Sequence, residues 1–398
     1  MLLVLFMVIS PYTTAIPCIY MTYRVLVGKI IVEKNYLNIG LFLLFIWSLI
    51  VGVLNRSITS IFSSFALLMY FCSSVYIQSY CINRDRVEKI YRCLIYFSVF
   101  SGIFGIIEKI FCLYFKENVV ARFLDFTFQT IHNKRIYSTF GNPNVAGNWF
   151  AIMILVSIYF CSTDSRYNKL FYKASTLLFL VALFLTGSRG AFIGLVFGLF
   201  AFYLFKFDWN KKNIWIYILL FIFIVVVTFI PLPILNNVIA HNVDRSFHNR
   251  VGIWRGCITM AKNKPITGWG LMAVWDYGSE YIVGYNKMLF HAHNIWITFM
   301  TTLGAVGFLI YMYIKINLLR SLKVLYTQRC PFVPMLAGIQ ALIIGHGLVD
   351  FTMIAPQAAL LFISCSAVTL SLLRQYSTVL DSKPLRIRNK LKSLFRLN

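Results

Sequence analysis

Eleven apolar stretches of 17 to 25 residues, separated by polar joints, constrain this chain more than anything else in it. They lie near 2–22, 37–54, 58–82, 91–115, 145–162, 169–186, 190–206, 213–232, 294–314, 332–351 and 356–373. A hydrocarbon layer about 30 Å thick takes roughly 20 helical residues to cross, and inside it only helices or closed barrels satisfy the backbone. Hydrophobic residues make up 59% of the 398 and charged residues 13%, with mean hydropathy +0.75. That is more apolar surface than a soluble domain can bury. The expectation is an all-α polytopic membrane protein of eleven spans. The first charge is Arg24, so the basic region of a secretory leader is missing and 2–22 reads as a retained span. It starts without a polar lead-in, which leaves room for a helix upstream of Met1 and a total of twelve.

The nine cysteines form no Cys-x-x-Cys pair and fall mostly within apolar runs, where cysteine acts as a small hydrophobe. The excess of 37 Lys and Arg over 13 Asp and Glu has a topological explanation that leaves nucleic acid without a role. With the C-terminus inside, the inside segments carry three, four, three, three, four and seven Lys or Arg in chain order, 24 of the 37. Positive residues mark cytoplasmic loops, so the N-terminus is expected outside. Both long polar loops, 116–144 and 233–293, then face outside as well.

Three of the outward-starting helices open on polar, turn-forming motifs: Phe140–Trp149 (FGNPNVAGNW), Leu185–Gly194 (LTGSRGAFIG) and His291–Trp296 (HAHNIW). Asn144, Ser188, and one of His293 or Asn294 are the expected N-caps. Unpaired N–H groups and the helix dipole make such termini anion sites, and Arg189 adds a full positive charge. Each motif alone reads equally well as structure, since Asn142-Pro143-Asn144 is a good turn and an interfacial arginine is ordinary. In the larger loop, Val251, Trp254, Ile258 and Ala261 recur at helical spacing, with Asn249 as a cap and Pro265 as a stop. That pattern predicts a short amphipathic helix with Arg250 on the Trp254 face and Arg255 on another. His346 and Asp350, at i and i+4, share one face of a span where it reaches the outside. Glu108 and Lys109 lie near the outer end of the fourth span. If the helix after His293 extended back to His291, the two rings would point about 200° apart.

The run HNIWITFMTTLGAVG resembles the His-Asn, nine residues, Gly, two residues, Gly pattern of O-antigen ligases, here His293, Asn294, Gly304 and Gly307. TGSRGA, GNPN and an arginine-plus-tryptophan element in the large outer loop are similar to the wider O-antigen ligase and polymerase superfamily. The Arg-x-x-x-Leu of ligases reads here Arg250-Val-Gly-Ile-Trp254. The resemblance implies N-terminal spans in 1–139 and a catalytic region in 140–352 that includes outer loop 233–293. It leaves a last span in 353–373 and a basic cytoplasmic tail in 374–398. It also implies a bacterial cytoplasmic membrane enzyme that moves a glycan from undecaprenyl diphosphate to an acceptor sugar, or to a lipid core, at the outer face. Inversion, no metal and no other cofactor are expected. A flippase and a chain-length regulator are the implied protein partners, beside membrane lipid. His293, Arg189 and Arg250 become the catalytic candidates, with Asn142, Asn144, Ser188, Asn294, Trp254, His346 and Asp350 as substrate-binding candidates. His291 is the neighbour of His293 or a lipid contact.

Polymerase, ligase and transporter are the three functions these features admit, polymerase slightly ahead of ligase. A transporter needs broken helices and polar groups near mid-membrane, whereas the polar groups here sit at the outer ends. The orientation has a direct test. In a cysteine-free background, an impermeant thiol reagent added from outside should label cysteines placed at 125 and 280 but not at 210 or 320. Labelling at 210 in intact cells would reverse the topology.

Overall fold

The structure, a computed structural model, describes residues 1–115, 118, 120, 135–164, 166–206, 249–285 and 289–381. The expected span 213–232, the first part of the outer loop and the tail beyond 381 lie outside the described residues. What is described is helical, with no strand among the described residues. Eight helices are long and apolar enough to cross a membrane. They are α3 (Tyr36–Leu54), α4 (Ile58–Tyr80), α5 (Arg84–Phe115), α6 (Pro143–Thr163), α7 (Arg166–Thr186), α8 (Arg189–Lys206), α11 (Ile295–Thr327) and α13 (Pro356–Asp381). Each covers one of the expected runs.

Two expected spans come out differently. The run 2–22 is two helices, α1 (Leu2–Ile9) and α2 (Ala15–Leu26), neither long enough to cross alone. Pro11 cannot donate to the helical ladder, and Thr13 Oγ1 bonds the Phe6 carbonyl at 2.6 Å at the break. The run 332–351 is helical only as α12 (Val333–Gly347). One further turn, closed by Asp350 N–H to the His346 carbonyl at 3.0 Å, leads into a 3-10 turn at Thr352–Ile354. Helix α11 continues to Thr327, so Lys315, Arg320 and Lys323 are helical rather than in a loop.

The bundle is centred on α6, whose apolar residues are buried all round against α7, α8 and α12. Helices α8 and α12 approach closely because α8 presents small residues. A Cβ at Gly194 would lie 2.8 Å from the Leu342 carbonyl oxygen, and one at Gly198 would lie 3.0 Å from that of Gly338. Small residues of this kind replace the hydrophobic effect as the basis of helix pairing in lipid. The outward faces of α4, α5 and α7 carry exposed side chains such as Phe62, Phe100 and Phe184, as lipid contact requires.

Above α11 lie two short helices, α9 (249–263) and α10 (Ala273–Tyr281). The α9 stripe is rotated from the expected one. Cys257, Met260 and Ala261 are buried while Ile258 is exposed, because Cys257 packs with Val274 and Ile282 instead of facing lipid. Arg250 remains on the half-buried side and Arg255 is exposed.

The connection from α9 to α10 is spliced into α11. At Gly304 the helix breaks (φ 62°, ψ −165°), a conformation open only to glycine. The break would strand backbone groups in the membrane, and residues 265–270 take them up. Trp269 and Gly270 N–H donate to the Thr301 and Thr302 carbonyls at 3.0 and 2.8 Å, and Ala305 N–H donates to the Pro265 carbonyl at 2.8 Å. A Cβ at Gly304 would meet the Ile266 carbonyl oxygen at 2.3 Å. Gly304→Ala should therefore expel the 265–270 segment, lowering the thermal transition and opening 249–285 to protease. Backbone strain alone is worth about 1–3 kcal/mol. Gly252→Ala, at a glycine with no neighbour within 4 Å, is the control and should be neutral. Equal behaviour of the two variants would refute the splice.

Candidate functional site

At one end of the bundle three helix N-termini meet, and each is built by its motif. Asn142, rather than Asn144, caps α6, its Oδ1 accepting from Asn144 N–H at 2.8 Å with Pro143 at the first helical position. This corrects the expected cap by two residues. The proline fixes the first turn and leaves the Asn144 side chain free for other work. At α8, Gly187 adopts a left-handed turn (φ 60°), and the Ser188 carbonyl accepts the first helical bonds, from Ala191 and Phe192 N–H. The Ser188 side chain is buried. Arg189 is exposed at the helix mouth. At α11 the cap is Asn294, which accepts from Trp296 and Ile297 N–H at 2.9 and 3.0 Å. Its Nδ2 donates to the Leu348 carbonyl at 2.8 Å, which ties α11 to the end of α12.

Between these termini lies Asp350, 3% exposed. Its Oδ1 accepts from His293 Nδ1 at 2.9 Å and from Phe351 N–H at 2.8 Å, and its Oδ2 accepts from Asn144 Nδ2 at 2.6 Å. Sequence spacing paired Asp350 with His346. Instead the carboxylate bonds His293, while the Asp350 N–H still closes a turn onto the His346 carbonyl. His346 stays packed against Gly190, its Nε2 buried with no hydrogen-bond partner among the described residues. Burial pushes the Asp350 carboxyl up, but His293, Arg250 and His291 outweigh it and hold it well below the usual carboxylate range. An ionised carboxylate only accepts. Neutral His293 must therefore carry its proton on Nδ1, which leaves the lone pair on Nε2.

His291 is the neighbour of His293, one of its two expected places, and the separation of about 200° does not arise. The helix starts at Ile295 and His293 is left-handed (φ 49°), so the two imidazoles are not on opposite sides but in edge contact, 4.4 Å between centroids. His291 Nδ1 accepts from His293 N–H at 3.1 Å. Burial, with His293 and Arg250 adding to it, lowers His291 to about 3, so it stays a neutral acceptor. The donor atoms of His291, His293 and Asp350 lie within 4.8 Å of one another, close enough for a cation. The His291 Nδ1 lone pair is nevertheless already used, Asp350 Oδ1 accepts two bonds and Oδ2 one, and Arg250 acts on the group with positive charge.

One residue was missed by sequence reading. Arg135 donates through Nη2 to Asn144 Oδ1 at 2.7 Å and through Nε to the Thr186 carbonyl at 2.6 Å, so it joins the start of α6 to the end of α7. Only its place nine residues before Asn144, in the same polar segment, could have marked it. Burial lowers its guanidinium to about 10, a shift that Tyr137 and Asp350 oppose and that Arg250 and Arg189 add to; it is charged at neutral pH. Arg250 thus lies within electrostatic reach of Arg135, Arg189, His291 and Asp350. Arg135 and Arg250 act on one carboxylate that is already paired, and Arg189 acts on both of them, which leaves excess positive charge. Trp254 is half-buried one helical turn from Arg250. An apolar groove of about 170 Å³, lined by Met7, Met21, Tyr76, Tyr80 and Leu360, contains none of these residues.

The tautomer is testable. Asp350→Asn keeps the shape but can present an N–H to His293, so the imidazole proton should move to Nε2. In protein labelled with 15N-histidine, the Nδ1–H resonance assigned through His293→Gln should disappear. Its persistence would show that Asp350 does not set the tautomer.

No curated protein matches the chain. Residues 174–312, about a third of the chain and the part that holds Arg189, Arg250 and His293, match the family model described as O-antigen ligase, which supports the chain's place in the O-antigen ligase and polymerase superfamily.

Proposed function

We propose that the chain is a glycosyltransferase of the O-antigen polymerase and ligase type. It moves a glycan from undecaprenyl diphosphate to an acceptor sugar at the outer face of a bacterial cytoplasmic membrane. The observation that carries this reading is the cluster of Arg135, Arg189 and Arg250, two of them within electrostatic reach of Asp350, where three helix N-termini meet. A diphosphate leaving group needs that excess of positive charge, and an attacking hydroxyl needs an acceptor for its proton. Catalysis by such preorganised donors acts on charge that develops in the transition state.

The acceptor hydroxyl attacks the anomeric carbon on the face opposite the diphosphate. A new C–O bond forms, the bond from carbon to the diphosphate oxygen breaks with its electron pair, and configuration inverts. Nε2 of His293 takes the hydroxyl proton, while Asp350 holds the ring and stabilises the imidazolium that forms. Arg189 and Arg250 bind the phosphate oxygens with paired N–H donors, which a lysine cannot reproduce. No metal is required, since the arginines supply the positive charge. Asn142, Asn294, Asn144 and Asp350 have side chains committed to protein hydrogen bonds, so they position the site rather than touch substrate. The free N–H groups of the helix ends remain for the anion. Ser188, Trp254 and His346 are kept as substrate contacts. A C-terminus inside would put this end of the bundle outside, and 140–352 would be the catalytic region. A flippase would supply the donor, and a regulator would set chain length.

Arg250-Val-Gly-Ile-Trp254, in place of Arg-x-x-x-Leu, favours chain polymerisation over ligation. The match to an O-antigen ligase family model keeps ligation to a lipid core as the second reading. Transport has less support. The one break noted in a long helix, at Gly304, is closed by residues 265–270 instead of lining a cavity.

The test is turnover of a polyprenyl-diphosphate-linked glycan by the purified protein in lipid nanodiscs. His293→Ala should lower kcat by about 10²–10⁴ while donor binding persists. Arg189→Lys and Arg250→Ala should weaken donor binding at least roughly tenfold, the worth of a charge-assisted hydrogen bond. Arg255→Ala, on the exposed side of α9, should stay within about 3-fold. Near-normal turnover by His293→Ala would remove proton transfer from this residue. Loss of activity in Arg255→Ala with normal Arg250→Ala would reverse the assigned helix face.

A further inference from the structure

The carboxylate of Glu108, near one end of α5, is 2% exposed and faces no cation of the site. It is spent on a loop. Its two oxygens accept from Tyr137 N–H at 2.9 and 3.1 Å, Ser138 N–H at 2.6 Å and Asn118 Nδ2 at 2.7 Å. Ser138 is left-handed (φ 54°), a conformation costly for a residue with a side chain. Consecutive N–H groups held open in this way form an anion cradle, and here the anion belongs to the protein. The same loop is pinned on its other side to the end of α7, by Ile136 N–H to the Leu185 carbonyl at 3.2 Å. Arg135 is the residue next to this anchored turn.

The chain of bonds onward from Arg135 has only one consistent order. A guanidinium has donors and no acceptor, so it must face the oxygen end of the Asn144 amide. That turns the NH₂ end toward Asp350, which as a carboxylate needs a donor. Asp350 Oδ1 is then left for His293 Nδ1–H. If the amide were reversed, an NH₂ would face the guanidinium and a carbonyl would face the carboxylate, so both contacts would repel.

We infer that Arg135, set in place by Glu108, is a positioning residue for glycan transfer: it selects the orientation of the Asn144 amide and, through Asp350, the ring and tautomer of His293. This role rests on His293 acting as the base. It separates Arg135 from Arg189 and Arg250, because both Arg135 contacts go to the protein. Arg135 is half-buried, and its partial removal from water strengthens those contacts.

The experiment measures kcat, donor KM and the 15N tautomer of His293 for Arg135→Met, Asn144→Ala and Glu108→Gln in nanodiscs. Arg135→Met and Asn144→Ala should each lower kcat roughly 10- to 100-fold, the scale of a misaligned reacting group. Donor KM should stay within about 3-fold, and the His293 Nδ1–H resonance should weaken or vanish. Arg135→Lys, whose single ammonium cannot serve both Thr186 and Asn144, should recover only part of kcat. Glu108→Gln should follow Arg135→Met in pattern. Should it fail to insert, Asn144→Ala carries the same test, because that change leaves the 135–140 turn intact. A raised KM with normal kcat in Arg135→Met would make Arg135 a phosphate contact and overturn the inference, as would lost kcat with an unchanged tautomer. Full activity in His293→Ala would instead remove proton transfer from His293, on which this role rests, with the tautomer shift in Arg135→Met still there to be measured.

Discussion

A carboxylate buried at the end of a membrane bundle is the constraint around which the rest is arranged. An unpaired ion in such a place costs several kcal/mol, and Asp350 is tolerated because three donors from three parts of the chain close on it: Asn144 of α6, His293 before α11 and its neighbour Phe351. None of these elements can move away without uncovering the charge. The pairing therefore acts as a lock on the relative placement of α6, α11 and the end of α12. The same three bonds define which imidazole nitrogen of His293 carries a proton. Structural closure and the chemistry proposed for His293 thus depend on one group.

A second constraint comes from lipid. A long helix can be interrupted in a membrane only if the freed backbone groups find partners. The break at Gly304 meets that condition with the chain's own 265–270 segment, whose Gly268 lies so close that a Cβ there would be 2.5 Å from the Thr302 carbonyl oxygen. Trp47 Nε1 donates to the Leu303 carbonyl at 2.8 Å and completes the repair. The consequence reaches the site, since α9 and Arg250 lead directly into this segment. Of the two glycines of the His293–Gly307 pattern, Gly304 is thus explained by backbone approach and Gly307 by the Leu303 side chain, which a Cβ there would meet at 2.2 Å, while the histidine and asparagine serve the Asp350 pair and the helix cap.

Much of this could be read from residues. The eight long spans were legible because a run of about 20 apolar residues has one stable outcome in lipid. The three polar helix starts and their shared end of the bundle followed from turn chemistry and charge asymmetry. Local spacing misled where local order ended. His346 and Asp350 are one helical turn apart, but the Asp350 carboxylate is taken by His293 and Asn144 from elsewhere in the chain. His291 and His293 are opposed on an ideal helix, but the helix begins at Ile295, so their rings touch. Asn144 looked like a cap, yet Asn142 takes that place two residues earlier.

The sequence by itself determined the membrane-spanning class, the location of the polar ends and the residue types available there, because hydrophobic length and turn propensity act over short distances. Only the tertiary structure decided the partners. Which carboxylate meets which histidine, which end of the Asn144 amide faces Arg135, and why Glu108 lies buried all depend on contacts between residues 9 to 206 apart. Those choices come from desolvation: a buried donor or acceptor must find its complement wherever packing brings one, and no spacing along the chain encodes that.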